Sequence, residues 1–386
     1  MAKRIVVGLL VLVAAAGGAF AAGQGERAAA TDGDIHIALS APITGDWSEY
    51  GIGFDRSARM AIDQINADGG VLGGRKFRLS VGDTEGNPQM GTTLAQRFTA
   101  DRTIVAQIGP FASSTAMASQ PIFDAEGMVQ LSPTASHADF AGGSRWSFGI
   151  VGTQAGEGPF NARFAYEHLG LRRVAVLHLN NDFGIDSAYY FSKAFEELGG
   201  EIVETDFYFD GERDFTAVLT KLSRTNADGL YIVSFYNDGA AINLQRQRLG
   251  WDVQVLGTGS LYNEQLIALG GDSVEGVCTA TVFYADDPDP RVRRYVEEFR
   301  SRYGVTPSFH AAVAYDAMML LADAIERAGS TDRAAIRDAL AETVDFEAVA
   351  GNVTFTPEGD AVKSYRRLVI YNGEFRLFDE VGLPRR

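Results

Sequence analysis

From Ile35 onward the chain alternates short apolar runs with patterns of helical period, and it does so in two successive series. Ile35-His36-Ile37-Ala38-Leu39-Ser40 reads as a strand. Phe54, Ala58, Ala61, Ile62 and Ile65 then fall at helical spacing within 50–66, and Gly69-Gly70 stops that helix. Strand patterns at 77–81, 104–108 and 128–131 are separated by helical ones at 90–100 and 114–126. A second series begins near Gln154, with strands at 174–178, 202–207, 229–233 and 253–256 and helices at 187–198, 215–222 and 240–249. Parallel strands need crossover connections, so repeated βα units predict parallel sheets with helices on both faces. Two series predict two similar, doubly wound α/β lobes, although no matching residues make them an internal sequence repeat. Beyond Asp289 the chain reads as helical through Arg327 and again over 332–343, with strand-like pieces at 353–355, 365–371 and 375–378. Those late elements must be shared between sheets already begun.

The length agrees with two lobes, since single cores stop growing near about 250–300 residues and this chain has 386. With 46% apolar and 22% charged residues, disorder and fibrous classes are excluded. Lys and Arg number 34 against 50 Asp and Glu, a net charge of −16 that repels a polyanion and argues against nucleic acid as a partner. The start has the form of a secretory signal: Lys3 and Arg4, an apolar run from Ile5 to Ala16, then Ala19-Phe20-Ala21. It predicts a signal peptide over 1–21 cleaved after Ala21, a small, polar linker over 22–32, and a soluble mature protein. The lone Cys278 excludes an internal disulfide and reads as a half-buried strand thiol.

Enzyme signatures are missing. There is no Walker A loop and no Gly-x-Ser-x-Gly elbow, and Gly257-Thr258-Gly259 lacks the third glycine of a dinucleotide fingerprint. His36, His137, His168, His178 and His310 never stand at metal-ligand spacing, so no metal, cofactor or catalytic residue is predicted. Asp182 and Asp186 open a helix, where capping and the helix dipole account for acids. One segment suits a small ligand: Ile108-Gly109-Pro110-Phe111-Ala112-Ser113-Ser114-Thr115 joins a strand directly to a helix. Free N–H groups and the Ser113 and Ser114 hydroxyls can hold an anion there. Without a lysine the site suits one carboxylate better than a polyphosphate, and a plain N-cap role for either serine is an equal alternative. Ser132-Pro133-Thr134-Ala135-Ser136 follows the next strand and adds donors at the carboxyl edge that ligands prefer. Trp47, Tyr50, Phe183, Phe235 and Tyr236 are placed in loops after strands, where they can enclose an apolar group.

Several of these segments, taken in order, resemble the leucine/isoleucine/valine-binding family across nearly the whole mature chain. They are Ala41-Pro42-Ile43-Thr44-Gly45, Ala61 to Gly70, Ile108-Gly109-Pro110 with Ser113-Ser114, Leu131 to Ala135, Asn181-Asp182-Phe183-Gly184, Asp214-Phe215 and Ala314-Tyr315-Asp316-Ala317. The resemblance implies a type I periplasmic binding protein, the monomeric receptor that delivers a small solute to the membrane permease of an ABC importer. It implies two lobes joined by three hinge crossovers and closing on the ligand, residues 33–152 with 285–351 forming one and 153–284 with 352–386 the other. It further implies that Ser113, Thr134 and Ser136 hold a ligand carboxylate, with Tyr50, Phe111, Phe183, Phe235 or Tyr236 around it and Trp47 beside Tyr50.

One departure bears on the ligand. Amino-acid-binding members of that family commonly place an acid, which pairs with the α-ammonium, where this chain has Gly259. A desolvated ammonium without a partner is costly, so either Asp182, Asp238 or Glu264 substitutes or the solute is a carboxylate or amide lacking the ammonium. A secreted hydrolase is disfavoured by the missing nucleophile elbow, and a sensing module docking on a signalling partner would use the same fold.

Overall fold

The computed structural model describes residues 33–384. The signal peptide expected at 1–21 and the linker at 22–32 lie outside the described residues.

The first series folds as β1 (Ile35–Ala41), α1 (Ser48–Ala67), β2 (Phe77–Asp83), α2 (Pro88–Ala100), β3 (Ile104–Ile108), α3 (Ser113–Glu126), β4 (Val129–Ser132) and β5 (Ser147–Gly149). The second comprises α4 (Gln154–Arg163), β6 (Arg173–Leu179), α5 (Asp182–Glu197), β7 (Glu201–Tyr208), α6 (Thr216–Ser223), β8 (Gly229–Val233), α7 (Tyr236–Arg248), β9 (Gln254–Gly257), α8 (Glu264–Gly270) and β10 (Cys278–Thr281). The chain ends in α9 (Pro290–Tyr303), α10 (Phe309–Ala328), α11 (Arg333–Ala341), β11 (Arg366–Tyr371), β12 (Glu374–Leu377) and α12 (Phe378–Val381).

β1, β3 and β8 are buried along their whole length, which is why they appear as near-continuous apolar runs rather than alternating ones. Helix starts follow side-chain caps where the sequence supplies them. Asn87 caps α2 ahead of Pro88, Asn181 caps α5, and Asp289 caps α9 ahead of Pro290.

The first sheet has the order β2-β1-β3-β4-β5 with every pair parallel. The second runs β12-β11-β10-β9-β8-β6-β7, so β6 to β10 repeat that order strand for strand, and β11 and β12 extend the edge antiparallel. In each sheet the strand order reverses beside the first strand of the series, between β1 and β3 and between β6 and β8. Ligand crevices form at such points, beyond the carboxyl ends of the strands.

The late elements divide between the two layers. α9 and α10 join α1 on the first sheet, where Ser57 Oγ lies 3.0 Å from Tyr295 Oη and Tyr315 Oη donates to Gln64 Oε1 at 2.6 Å. α11 is held there through Arg333, whose guanidinium donates to Ile104 O. The chain thus passes to the second sheet after β5, returns after β10, and crosses a third time before β11.

Several details refine or differ from the sequence reading. The largely helical stretch expected from Asp289 through Arg327 is two helices, divided where Gly304 takes a left-handed conformation at φ 71° and Pro307 follows. Val353 and Phe355 form isolated bridges rather than a strand. Cys278 is fully buried in β10, paired on both sides, rather than half-buried. α5 and α7 begin at Asp182 and Tyr236, earlier than their apolar spacing indicated.

Candidate functional site

The loops that leave the carboxyl ends of both sheets meet around a small cavity of about 40 Å³. On the first sheet, β3 ends at Ile108 and the chain turns through Gly109 at φ +106°. A Cβ on Gly109 would stand 2.2 Å from Ser40 O, so only glycine permits the turn that aims α3 at the cavity. α3 begins at Ser113 after Ala112, with no side-chain cap. Neither serine therefore acts as a plain N-cap. Ser113 Oγ instead accepts from Ser136 N at 3.2 Å, and Ser114 Oγ accepts from Asp182 N at 3.3 Å, across to the second sheet's α5. Thr134 Oγ1 donates to Phe111 O at 2.7 Å, fixing the β4 turn against the β3 turn.

Six of the ten residues named from the sequence line the cavity: Phe111, Ser113, Thr134, Ser136, Phe183 and Phe235. Ser114, Trp47, Tyr50 and Tyr236 lie outside its lining and make contacts around it. The aromatics are in the first turns or caps of helices rather than in loops, Trp47 and Tyr50 opening α1, Phe183 in α5, and Phe235 and Tyr236 opening α7. Their rings interlock. Tyr50 stacks on Phe111 with centroids 4.9 Å apart, Phe235 lies 4.5 Å from Trp47, and Phe183 stacks on Phe235 at 5.6 Å.

Polar contacts tie the two sheets' loops together over this cluster. The fully buried Tyr50 hydroxyl donates to Ser260 O at 2.9 Å and accepts from Tyr236 N at 3.0 Å. Burial holds that phenol well above its ordinary range, so it stays a donor at any physiological pH. Tyr236 Oη donates to Asp46 O at 3.2 Å, and Asp186 accepts from Ala138 N at 2.9 Å. Asp186 is therefore a cross-strap rather than a cap, the α5 cap being Asn181.

Gln154, Glu157, Ser260, Phe309, His310 and Tyr365, which the sequence reading missed, also line the wall. Gln154 Nε2 donates to Ser136 Oγ at 2.9 Å and to Glu157 Oε2 at 3.1 Å. Glu157 Oε1 accepts from Gly259 N at 2.7 Å and from Asn161 Nδ2 at 3.4 Å. Burial raises the Glu157 pKa, and these three donors offset that rise only in part, so the net shift is upward. Burial also holds the His310 imidazole well below its ordinary range, leaving it neutral.

The acids proposed to replace a side chain at 259 stand elsewhere. Asp238 is buried against Tyr208 and Arg213, Glu264 opens α8 in a wider surface groove, and the Asp182 backbone N–H is held by Ser114. None of the three lines the cavity. The only sequence signal for Glu157 was its place at the start of the second series, where an acid on a helix reads as a solvated one.

Comparison with known proteins gives a consistent picture. Residues 34–370 match the family model described as periplasmic binding protein. A leucine-, isoleucine-, valine-, threonine- and alanine-binding protein of Pseudomonas aeruginosa is 27% identical over 327 residues, 84% of this chain and 87% of the relative. A leucine-binding protein structure from Thermotoga maritima superposes with a TM-score of 0.83 at 29% identity, covering 89% of this chain and 97% of that one. An ABC transporter substrate-binding protein from Desulfitobacterium hafniense, in complex with Leu, gives 0.76 at 26% identity, covering 89% and 99%.

Proposed function

Since the chain belongs to the periplasmic binding protein family, a family of solute receptors rather than enzymes, we propose that it captures a small amino-acid-like solute in the cavity between its sheets. The solute would then pass to the permease of an ABC importer. The observation that carries the reading is the shared site: equivalent carboxyl-end turns of two sheets with the same strand order converge on one cavity. That cavity offers helix N–H groups and hydroxyls on one wall and aromatic rings on another. Relatives that carry leucine or branched-chain amino acid names over most of their length support this ligand class.

In this reading the α3 N-terminus with Ser113, Thr134 and Ser136 receives the solute carboxylate, and Phe111, Phe183 and Phe235 enclose its apolar part. Residues 33–152 with 285–351 move against 153–284 with 352–386. Ligand pockets ordinarily measure about 300–1,000 Å³, far beyond the 40 Å³ here, so admission of a solute requires the loops to part. The mature protein is periplasmic, and among the described residues no helix is long and apolar enough to cross a membrane.

Thermal-shift measurement against the proteinogenic amino acids tests the ligand class. A true ligand at about 100 times its Kd stabilises the fold by about 2.7 kcal/mol. Stabilisation by leucine or a similar apolar amino acid, recovered unchanged after incubation, is expected. Chemical turnover of the bound compound, or no response to any amino acid, contradicts the reading.

A further inference from the structure

We infer that Glu157, reaching from α4 to the turn after β9, supplies the negative partner for a ligand ammonium. This rests on the amino-acid reading above and specifies how that ligand is recognised.

The place where an acid is expected, Gly259, admits no side chain in this backbone. A Cβ there would lie 2.7 Å from Ala280 O and 3.6 Å from Glu157 Oε1. Glu157 occupies that neighbourhood itself, with Oε1 on the Gly259 amide at 2.7 Å. Its carboxyl group therefore comes from a different element, a hundred residues earlier in the chain, yet meets the β9 turn at the cavity wall.

The hydrogen bonds around Glu157 are of the kind that suit a carboxylate and offset part of the cost of burying it. Three N–H donors converge on its two oxygens, from Gly259, Gln154 and Asn161, and no acceptor is bonded to it. No Lys or Arg lines the cavity, and no ion pair to Glu157 occurs among the described residues. His310, the remaining basic side chain on the wall, has no bonded partner for Nδ1. A carboxylate has about four lone-pair sites, so with three donors bound one remains. A buried charge without a countercharge is expensive, and a cationic ligand group is what removes the cost.

A second observation points to the same group. Gln154 is 1% exposed and lines the cavity, and its Oε1 has no hydrogen-bond partner. The orientation of its amide is fixed by Glu157, because turning it over would set oxygen against carboxylate oxygen. An acceptor is thereby left buried beside the carboxylate. An ammonium, with donors and no acceptor, satisfies both atoms at once. Ser136 accepts from Gln154 through Oγ and donates its backbone N–H to Ser113 Oγ. A continuous polar chain thus links the carboxylate-binding wall of the first sheet to Glu157 on the second, matching the two ends of a zwitterion.

The test compares L-leucine with isocaproate, which keeps the carboxylate and branched chain and lacks the amine. Calorimetry on the full mature protein and on Glu157→Gln separates the roles. The wild type is expected to bind leucine at least about tenfold more tightly than isocaproate. Glu157→Gln should lose about tenfold or more for leucine, with isocaproate binding unchanged or improved. Retained leucine affinity in Glu157→Gln, or equal wild-type affinities for the two compounds, overturns the assignment while leaving the cavity as the binding site. Failure of the wild type to bind either overturns the amino-acid reading as well. The unliganded melting temperature reports whether Glu157→Gln folds. If it does not, Glu157→Asp, which keeps the charge but draws it back, should lose leucine affinity selectively, and an equal loss for both compounds refutes the inference.

Discussion

Replacing Tyr50 by Phe removes one oxygen from the seam between the sheets. That oxygen donates to Ser260 O at 2.9 Å and accepts from Tyr236 N at 3.0 Å, both on the second sheet's loops. The ring itself, stacked on Phe111 at 4.9 Å, keeps its packing in the variant. A buried hydrogen bond contributes about 0.5–1.5 kcal/mol net, so the two together favour the closed arrangement by about 1–3 kcal/mol. When the loops part, Tyr236 N and Ser260 O reach water, and the loss therefore falls on the closed form alone. A ligand that binds only the closed form has its affinity reduced by the same factor, roughly fivefold to 150-fold. Calorimetry with L-leucine on Tyr50→Phe measures this directly, and scattering with and without leucine reports how far the variant compacts. A Kd within about twofold of the wild type, with the same compaction, would refute the idea that this hydroxyl holds the sheets together.

Three further outcomes follow from the structure. Ser113→Ala with Thr134→Ala should weaken leucine binding by about tenfold or more, because charge-assisted hydrogen bonds contribute about 1.5–3 kcal/mol each; unchanged affinity in the folded double variant removes the carboxylate from this wall. Burial, with Asp210 and Asp46 nearby and against the pull of Arg213 and Tyr208, pushes the Asp238 carboxyl from 3.8 up to about 7. The folded state then holds the proton more tightly, so this contribution to stability is complete below pH 3.8 and is lost as pH rises through about 7. Asp238→Asn should consequently gain melting temperature relative to wild type across that window, and parallel curves contradict it. Cys278, fully buried and with burial raising its thiol pKa, should not react with a maleimide until the protein unfolds, and rapid native labelling is incompatible with its place in β10.

How much of this was legible from the sequence differs from element to element. Both sheets were visible because fully buried strands such as β1 and β8 are near-continuous apolar runs, and helices such as α1 and α5 keep a helical period. β5, three residues long behind Arg145-Trp146, carries too few positions to show any period. The starts of α1 and α7 fall earlier than their apolar spacing shows, because their caps and first turns hold the aromatic residues that interlock at the seam. Aromatics there give no capping signal, and tertiary packing rather than local propensity sets their position. At the site, Ser113, Thr134, Ser136, Phe183 and Phe235 are legible because they follow strand ends, which is a local property, whereas Phe111 is named only through the family resemblance. Glu157, Gln154 and His310 are not legible. Glu157 meets Gly259 only through the meeting of α4 with the β9 turn, a juxtaposition that no spacing along the chain encodes. The sequence did mark the other half of that pair, since a glycine where an acid was expected is itself a clue that the charge comes from elsewhere.

Scattering on the mature protein during titration with L-leucine, with calorimetry on the same samples, bears most directly on a receptor that shuts its two sheets over one solute. The expected result is one leucine per chain and a radius of gyration that falls in proportion to occupancy. Saturation at one site with no change in the radius of gyration would contradict it.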